Sequence, residues 1–83
     1  GEGYFLVHGW MDLDEFNTIF ETNLDRDLAE TIGGHLVAML GKVPVGGESL
    51  DLDHWHIQIE QVSGRRVRKF HMHKLEDISD TEV

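Results

Sequence analysis

The stretch TIGGHLVAMLGKVPVGGESLDLDHWHIQIE, residues 31–60, switches its hydrophobic period midway, and that switch decides the fold. In its first third Ile32, Leu36, Met39 and Leu40 recur at helical spacing and form one apolar stripe. Thr31 stands before the stripe as an N-cap, because its hydroxyl oxygen can accept a backbone amide of the first turn. Gly41 occupies the place of a left-handed residue that ends a helix, and Pro44 follows as a stop. Gly33 and Gly34 fall in the first turn, where each costs up to about 1 kcal/mol relative to Ala. Two such costs side by side predict that a neighbouring backbone packs close to both. Gly46-Gly47 is a turn, and beyond it the period becomes two. Leu50 and Leu52 alternate with Asp51 and Asp53, then Trp55, Ile57 and Ile59 with His56, Gln58 and Glu60.

Working outward, Ser63-Gly64 reads as a hairpin turn and Arg65–Leu75 as the returning strand. On the other side, Tyr4–His8 is a short β-rich run between Gly3 and Gly9. Asp12 with Glu15 three residues on is the acidic variant of a capping box. Leu13, Phe16, Ile19 and Phe20 then give a helical stripe, and the acidic segment Glu21–Glu30 connects the two helices. The order predicts an α+β domain: strand, two helices, then antiparallel strands ending in a β-hairpin. It is read as a single domain over 1–83, with its core at about 4–75 and an acidic tail over 76–83.

Composition narrows the function. The 83 residues are 40% hydrophobic, enough for a core but not for a deep cleft as well. Sixteen acidic against seven basic side chains leave a net charge of −9, which argues against a nucleic-acid backbone as partner. The absence of cysteine excludes disulfides, thiolate zinc sites and cysteine nucleophiles. The longest apolar run, Leu36–Leu40, is far short of the roughly 20 residues a membrane helix needs, so direct membrane insertion of this segment is not expected. A chain opening on Gly-Glu-Gly reads as a piece of a longer protein.

Glu30-Thr31-Ile32-Gly33-Gly34, Leu40-Gly41-Lys42-Val43-Pro44 and Gly47-Glu48 together resemble the transporter-associated domain of the CorC/HlyC family. Gly9 before Met11-Asp12-Leu13, and Arg65-Arg66 before Val67, fit the same pattern, so the likeness runs from about Tyr4 to Lys74. The resemblance implies a C-terminal cytoplasmic module that follows a transmembrane region and a pair of CBS domains in magnesium/cobalt efflux or hemolysin-like proteins. It implies modulation of ion transport, no catalytic residues, and a fold related to the PCMH-like subdomain of FAD-binding proteins. Thr31, Gly33, Gly34, Gly41, Pro44, Gly47 and Glu48 are then structural motif residues. The partners it implies are the CBS pair, the membrane region or a second copy of the domain, at the cytoplasmic face of the membrane.

The histidines depart from that pattern. With Ser63 and Gly64 as loop residues, His56 faces His71 and His54 faces His73, and all four share one face of the hairpin. Trp55, Ile57, Ile59, Phe70 and Met72 fall on the other face as a core layer, with Arg68 the one misfit, expected at the sheet margin. Imidazoles suit zinc, nickel, cobalt and copper, so His54, His56, His71 and His73 are candidate metal ligands. The plainer reading is a solvent-facing or partner-covered strand surface, since a flat ladder lacks tetrahedral convergence. A pH-sensing cluster is a third reading.

Other chemistry is thinner. The acidic run from Asp12 to Glu30 offers oxygen ligands for Mg²⁺ or Ca²⁺ but matches no EF-hand, and reads as a solvated face with helix capping. Gly33-Gly34 at a helix start could cradle the phosphate of an adenine or flavin nucleotide, yet no Walker A or GxGxxG is present. No required cofactor is expected, FAD included. Ser49 and Ser63 sit in no hydrolase motif, so an enzyme is not expected. Five of the seven basic residues (Arg65, Arg66, Arg68, Lys69 and Lys74) lie in the last strand, opposite in sign to the helical half. Such polarity suits docking on another domain. The leading expectation is therefore a non-catalytic docking module, and the alternative is a sensor of a divalent cation or nucleotide.

Overall fold

A computed structural model of the chain describes residues 3–75, so the expected acidic tail lies outside the described residues. The elements are β1 (Tyr4–His8), α1 (Leu13–Phe20), α2 (Ile32–Leu40), β2 (Ser49–Leu52), β3 (Trp55–Ser63) and β4 (Arg66–Lys74). The strands form one antiparallel sheet in the order β1-β4-β3-β2. The α+β expectation holds, and the first strand inserts beside the last.

Both helices begin as the caps require. Asp12 accepts the amides of Asp14 and Glu15, and Thr31 accepts that of Gly34. The two cap residues are bridged: Leu13 N–H donates to the Glu30 carbonyl at 2.9 Å and Ile32 N–H to Met11 at 3.0 Å. The helices therefore start side by side. The buried stripes are narrower than the sequence suggests. In α1 they are Leu13, Phe16 and Phe20, while Ile19 falls at the stripe's margin and is 58% exposed. In α2 Ile32 and Leu36 are buried, and His35 rather than Met39 completes the stripe. Met39 lies in the final turn and is exposed.

The hairpin register differs from the expected one by two residues. Ser63 pairs with Arg66, so the loop is Gly64-Arg65, and His56 faces His73 while His71 faces Gln58. The reason is turn chemistry. Gly64 has φ +62° and Arg65 is not among the positive-φ residues, a glycine-first pattern that matches a type II′ loop. His54 falls outside the paired register, although its carbonyl accepts the Leu75 amide at 2.7 Å. It belongs to the two-residue loop Asp53-His54 between β2 and β3, where Asp53 takes φ +54°. A shift of two preserves the faces, so Trp55, Ile57, Ile59, Phe70 and Met72 form the expected core layer. Arg68 is no margin residue but the extra residue of a bulge, since Val67 pairs with Val62 and Lys69 with Gln61; Glu60 is skipped on the opposite strand.

The sheet's inner face packs on both helices through Phe16, Phe20, Leu13, Ile32 and Leu36. Trp55 closes one end, donating its indole N–H to the Phe20 carbonyl at 3.3 Å and meeting Phe5 and Phe20 edge-on. At the other end Gly9 is wedged between β4 and α2. Its amide donates to the Arg68 carbonyl at 2.9 Å, and its own carbonyl accepts the Gly33 amide at 2.8 Å.

Candidate functional site

The outer face of the sheet carries a cross-strand row, Asp51, His56, His73 and Tyr4, one residue from each strand. His56 Nδ1 lies 2.7 Å from Asp51 Oδ1, which leaves Nε2 as the ring nitrogen for any other partner. The His56 and His73 rings are 5.2 Å apart between centroids, and Tyr4 lies 4.8 Å from His73 on the other side. In the next row His71 stands between Gln58 and Leu6 and pairs with Glu60, which also meets Lys69 at 3.8 Å. Of the four predicted ligands, the structure brings together His56 and His73 only. Among the described residues no three His, Asp or Glu side chains converge on one point. In these rows Tyr4 and Leu6 are 59% and 51% exposed, an apolar and aromatic surface that no described element covers.

The motif residues have local work. Gly41 takes φ +76° and its amide closes α2 on Val37 at 2.9 Å. Pro44 is fully buried. Gly47, at φ +93°, donates to the Ile59 carbonyl at 2.7 Å, and Ile59 N–H returns to the Glu48 carbonyl at 2.8 Å. The Glu48 carboxylate accepts the Val45 amide at 3.1 Å and meets Lys42 at 3.5 Å. These residues therefore steer the chain from α2 into β2. The close approach expected of both glycines holds for Gly33 alone, whose Cβ would meet the Gly9 backbone. Gly34 is confined by the Ala29 side chain and the Thr31 hydroxyl instead.

The start of α2 does not present free amides to an anion. Ile32 donates to Met11, Gly33 to Gly9, Gly34 to the Thr31 hydroxyl and His35 to the Thr31 carbonyl. The phosphate cradle weighed at Gly33-Gly34 has no free donors there, because these amides are spent inside the fold. A cleft of about 400 Å³ nevertheless opens beside it, lined by Gly9, Trp10, Gly33, Arg65, Arg66 and Arg68 among others. Separation along the chain hid it, because Trp10 and the arginines lie more than fifty residues apart. The acidic run is a solvated face: Arg26 reaches Asp14 and Asp12, all of them well exposed. His35 is buried at 4% exposure with Nδ1 unpartnered among the described residues. Desolvation holds its pKa below the ordinary histidine value, against a smaller opposing pull from Asp25.

No helix among the described residues is long and apolar enough to cross a membrane. Comparison with known proteins agrees with the architecture. The model of the CorC/HlyC family, described as a transporter associated domain, matches residues 1–76. The magnesium and cobalt efflux protein CorC of Buchnera aphidicola is 31% identical over 68 residues, covering 82% of this chain and 23% of that protein. The chain spans 19–23% of the length of the first curated relatives it matches. Among solved structures, a putative Mg²⁺ and Co²⁺ transporter (CorC) associated region from Neisseria meningitidis superposes with a TM-score of 0.85 at 24% identity, covering 90% of this chain and 93% of that one, a likeness of fold. The transporter associated domain of a Xylella fastidiosa hemolysin, in complex with Mg²⁺ and Mn²⁺, gives 0.79 at 25% identity over 90% and 91% of the two chains. With nearly its whole length matched and the same helix-and-sheet order, this chain belongs to the CorC/HlyC transporter-associated domain family.

Proposed function

We infer that the chain is a non-catalytic regulatory module of a larger ion-transport protein, acting at the cytoplasmic face of the membrane by docking on the neighbouring CBS domains. The observation that carries this reading is the uncovered outer sheet face. Tyr4 and Leu6 expose apolar surface there beside polar His56, His71 and His73, as an interface with an apolar centre and polar rim requires. The chain matches only 23% of the Buchnera efflux protein, so that relative carries further chain on the same polypeptide that could cover the corresponding face. The test uses the full-length parent. Tyr4→Glu with Leu6→Glu should reproduce the transport phenotype of deleting the whole domain, while the isolated variant domain melts like the parent. Unchanged transport in the double variant, where deletion has an effect, would remove the docking face.

A second reading is divalent-cation sensing, favoured by the Mg²⁺ and Mn²⁺ in the Xylella domain. In this chain the pair that serves it is His56 and His73, oriented by Asp51. A thermal shift with Mg²⁺, Mn²⁺, Co²⁺ or Zn²⁺ that the His56→Gln variant lacks would support it.

A further inference from the structure

We propose that the cleft between the start of α2 and the tip of the β3–β4 hairpin binds a nucleotide, its phosphates on the arginines and its base on Trp10. The cleft measures about 400 Å³, inside the roughly 300–1,000 Å³ range of small-molecule sites. Three of the chain's seven basic residues, Arg65, Arg66 and Arg68, line it. Of the four cations elsewhere, three meet acidic partners, Arg26 with Asp12 and Asp14, Lys42 with Glu48 and Lys69 with Glu60, while Lys74 stands alone among the described residues, away from the cleft. Among the described residues none of the three cleft arginines has an acidic partner. Three like charges within four consecutive positions repel one another unless an anion sits between them. Guanidinium forks match phosphate oxygens in pairs, which a dispersed acidic surface cannot imitate.

The net charge of −9 does not cancel this. Exposed charges separated by more than about 8 Å are largely screened at physiological salt, so the local cluster governs what enters the cleft. The ring specificity comes from Trp10. It is 74% exposed at the cleft, with one neighbour of its own, His8, stacked at 5.5 Å and 16°. With His8 stacked on one face, the exposed indole has its other face as a stacking platform for a base, in the same cleft as the arginines. Because the α2 amides are already bonded, the arginines are the anion donors.

Calorimetric titration of the chain with ADP, ATP, adenosine and inorganic pyrophosphate, without divalent metal at about 150 mM salt, tests the assignment. ADP and ATP should bind at micromolar to submillimolar concentration, and adenosine at least about tenfold more weakly. Arg66→Gln with Arg68→Gln should weaken ADP at least about tenfold, as should Arg65→Gln with Arg66→Gln, which leaves the bulge residue untouched. Trp10→Ala should weaken ADP while leaving pyrophosphate unchanged, and Arg26→Gln should alter neither. No binding of either nucleotide at about 5 mM, or undiminished ADP affinity in both arginine pairs, would overturn the site. Pyrophosphate binding as tightly as ADP, with Trp10→Ala silent, would overturn the nucleotide assignment.

Discussion

Gly33 lies against Gly9 at backbone distance. The Gly33 amide donates to the Gly9 carbonyl at 2.8 Å, and a Cβ on Gly33 would stand 2.7 Å from that same oxygen and 3.0 Å from Gly9 Cα. Those atoms are themselves fixed, because the Gly9 amide is bonded to Arg68 in β4. One contact thus joins the first strand, the second helix and the last strand.

Gly33→Ala should accordingly destabilise by about 1–3 kcal/mol, since backbone cannot yield as a side chain can. Gly33→Val should cost more. At Gly34 the near atoms are the Ala29 Cβ at 3.1 Å and the Thr31 hydroxyl at 3.2 Å. A helix-propensity gain of about 1 kcal/mol there offsets the crowding, so Gly34→Ala should stay near neutral. Thermal melts of the two Ala variants decide it: similar midpoints would show that Gly9 moves freely.

The hairpin tip gives a second expectation. A Cβ at Gly64 meets nothing within 4 Å, yet the residue has φ +62°. Gly64→Ala should therefore lose about 1–2 kcal/mol through backbone conformation alone. Gly64→Asn should recover part of that loss, because Asn tolerates the left-handed region. Equal losses in both would mean that the space around the tip, and not φ, is limiting.

The hydrophobic period made the helices and strands legible in the sequence, and Asp12, Thr31 and Gly41 marked their ends. What escaped was register. Ser63-Gly64 and Gly64-Arg65 are both two-residue loops, and a shift of two leaves the apolar face unchanged, so the pattern of Trp55, Ile57 and Ile59 could not separate them. The glycine-first preference of a type II′ turn was the discriminating signal. The bulge at Arg68 had only a charge on an apolar face to betray it. The cleft was illegible for a different reason: Trp10 meets the arginines only once β1 has inserted beside β4.

Zinc should follow the observed register. Two imidazoles on one tetrahedral metal, with Zn–N near about 2.1 Å, place their ring centroids roughly 5 Å apart. His56 and His73 stand at 5.2 Å, whereas His71 is engaged by Glu60. Binding should be micromolar or weaker, because two ligands leave half the shell to water. His56→Gln with His73→Gln should abolish it in calorimetric titration, and His71→Gln should not. Loss in His71→Gln alone would restore the other pairing.

His35 sets the last expectation. It is neutral and buried in the folded chain, with a pKa held below the ordinary value by desolvation, while unfolding returns it to about 6.5. Above that pH neither state takes the proton and His35 costs nothing electrostatic. Below it the unfolded chain protonates first, so stability falls with a limiting slope of about 1.4 kcal/mol per pH unit until the folded-state pKa is reached. Nδ1 has no partner among the described residues, so a buried polar atom is also left unsatisfied at neutral pH. His35→Leu should therefore be no less stable than the parent at about pH 7.5, and should lose less stability on acidification to about pH 5.5. Urea midpoints of both chains at the two pH values measure this directly. A parent and variant that decline in parallel would show that His35 protonates without opening the fold.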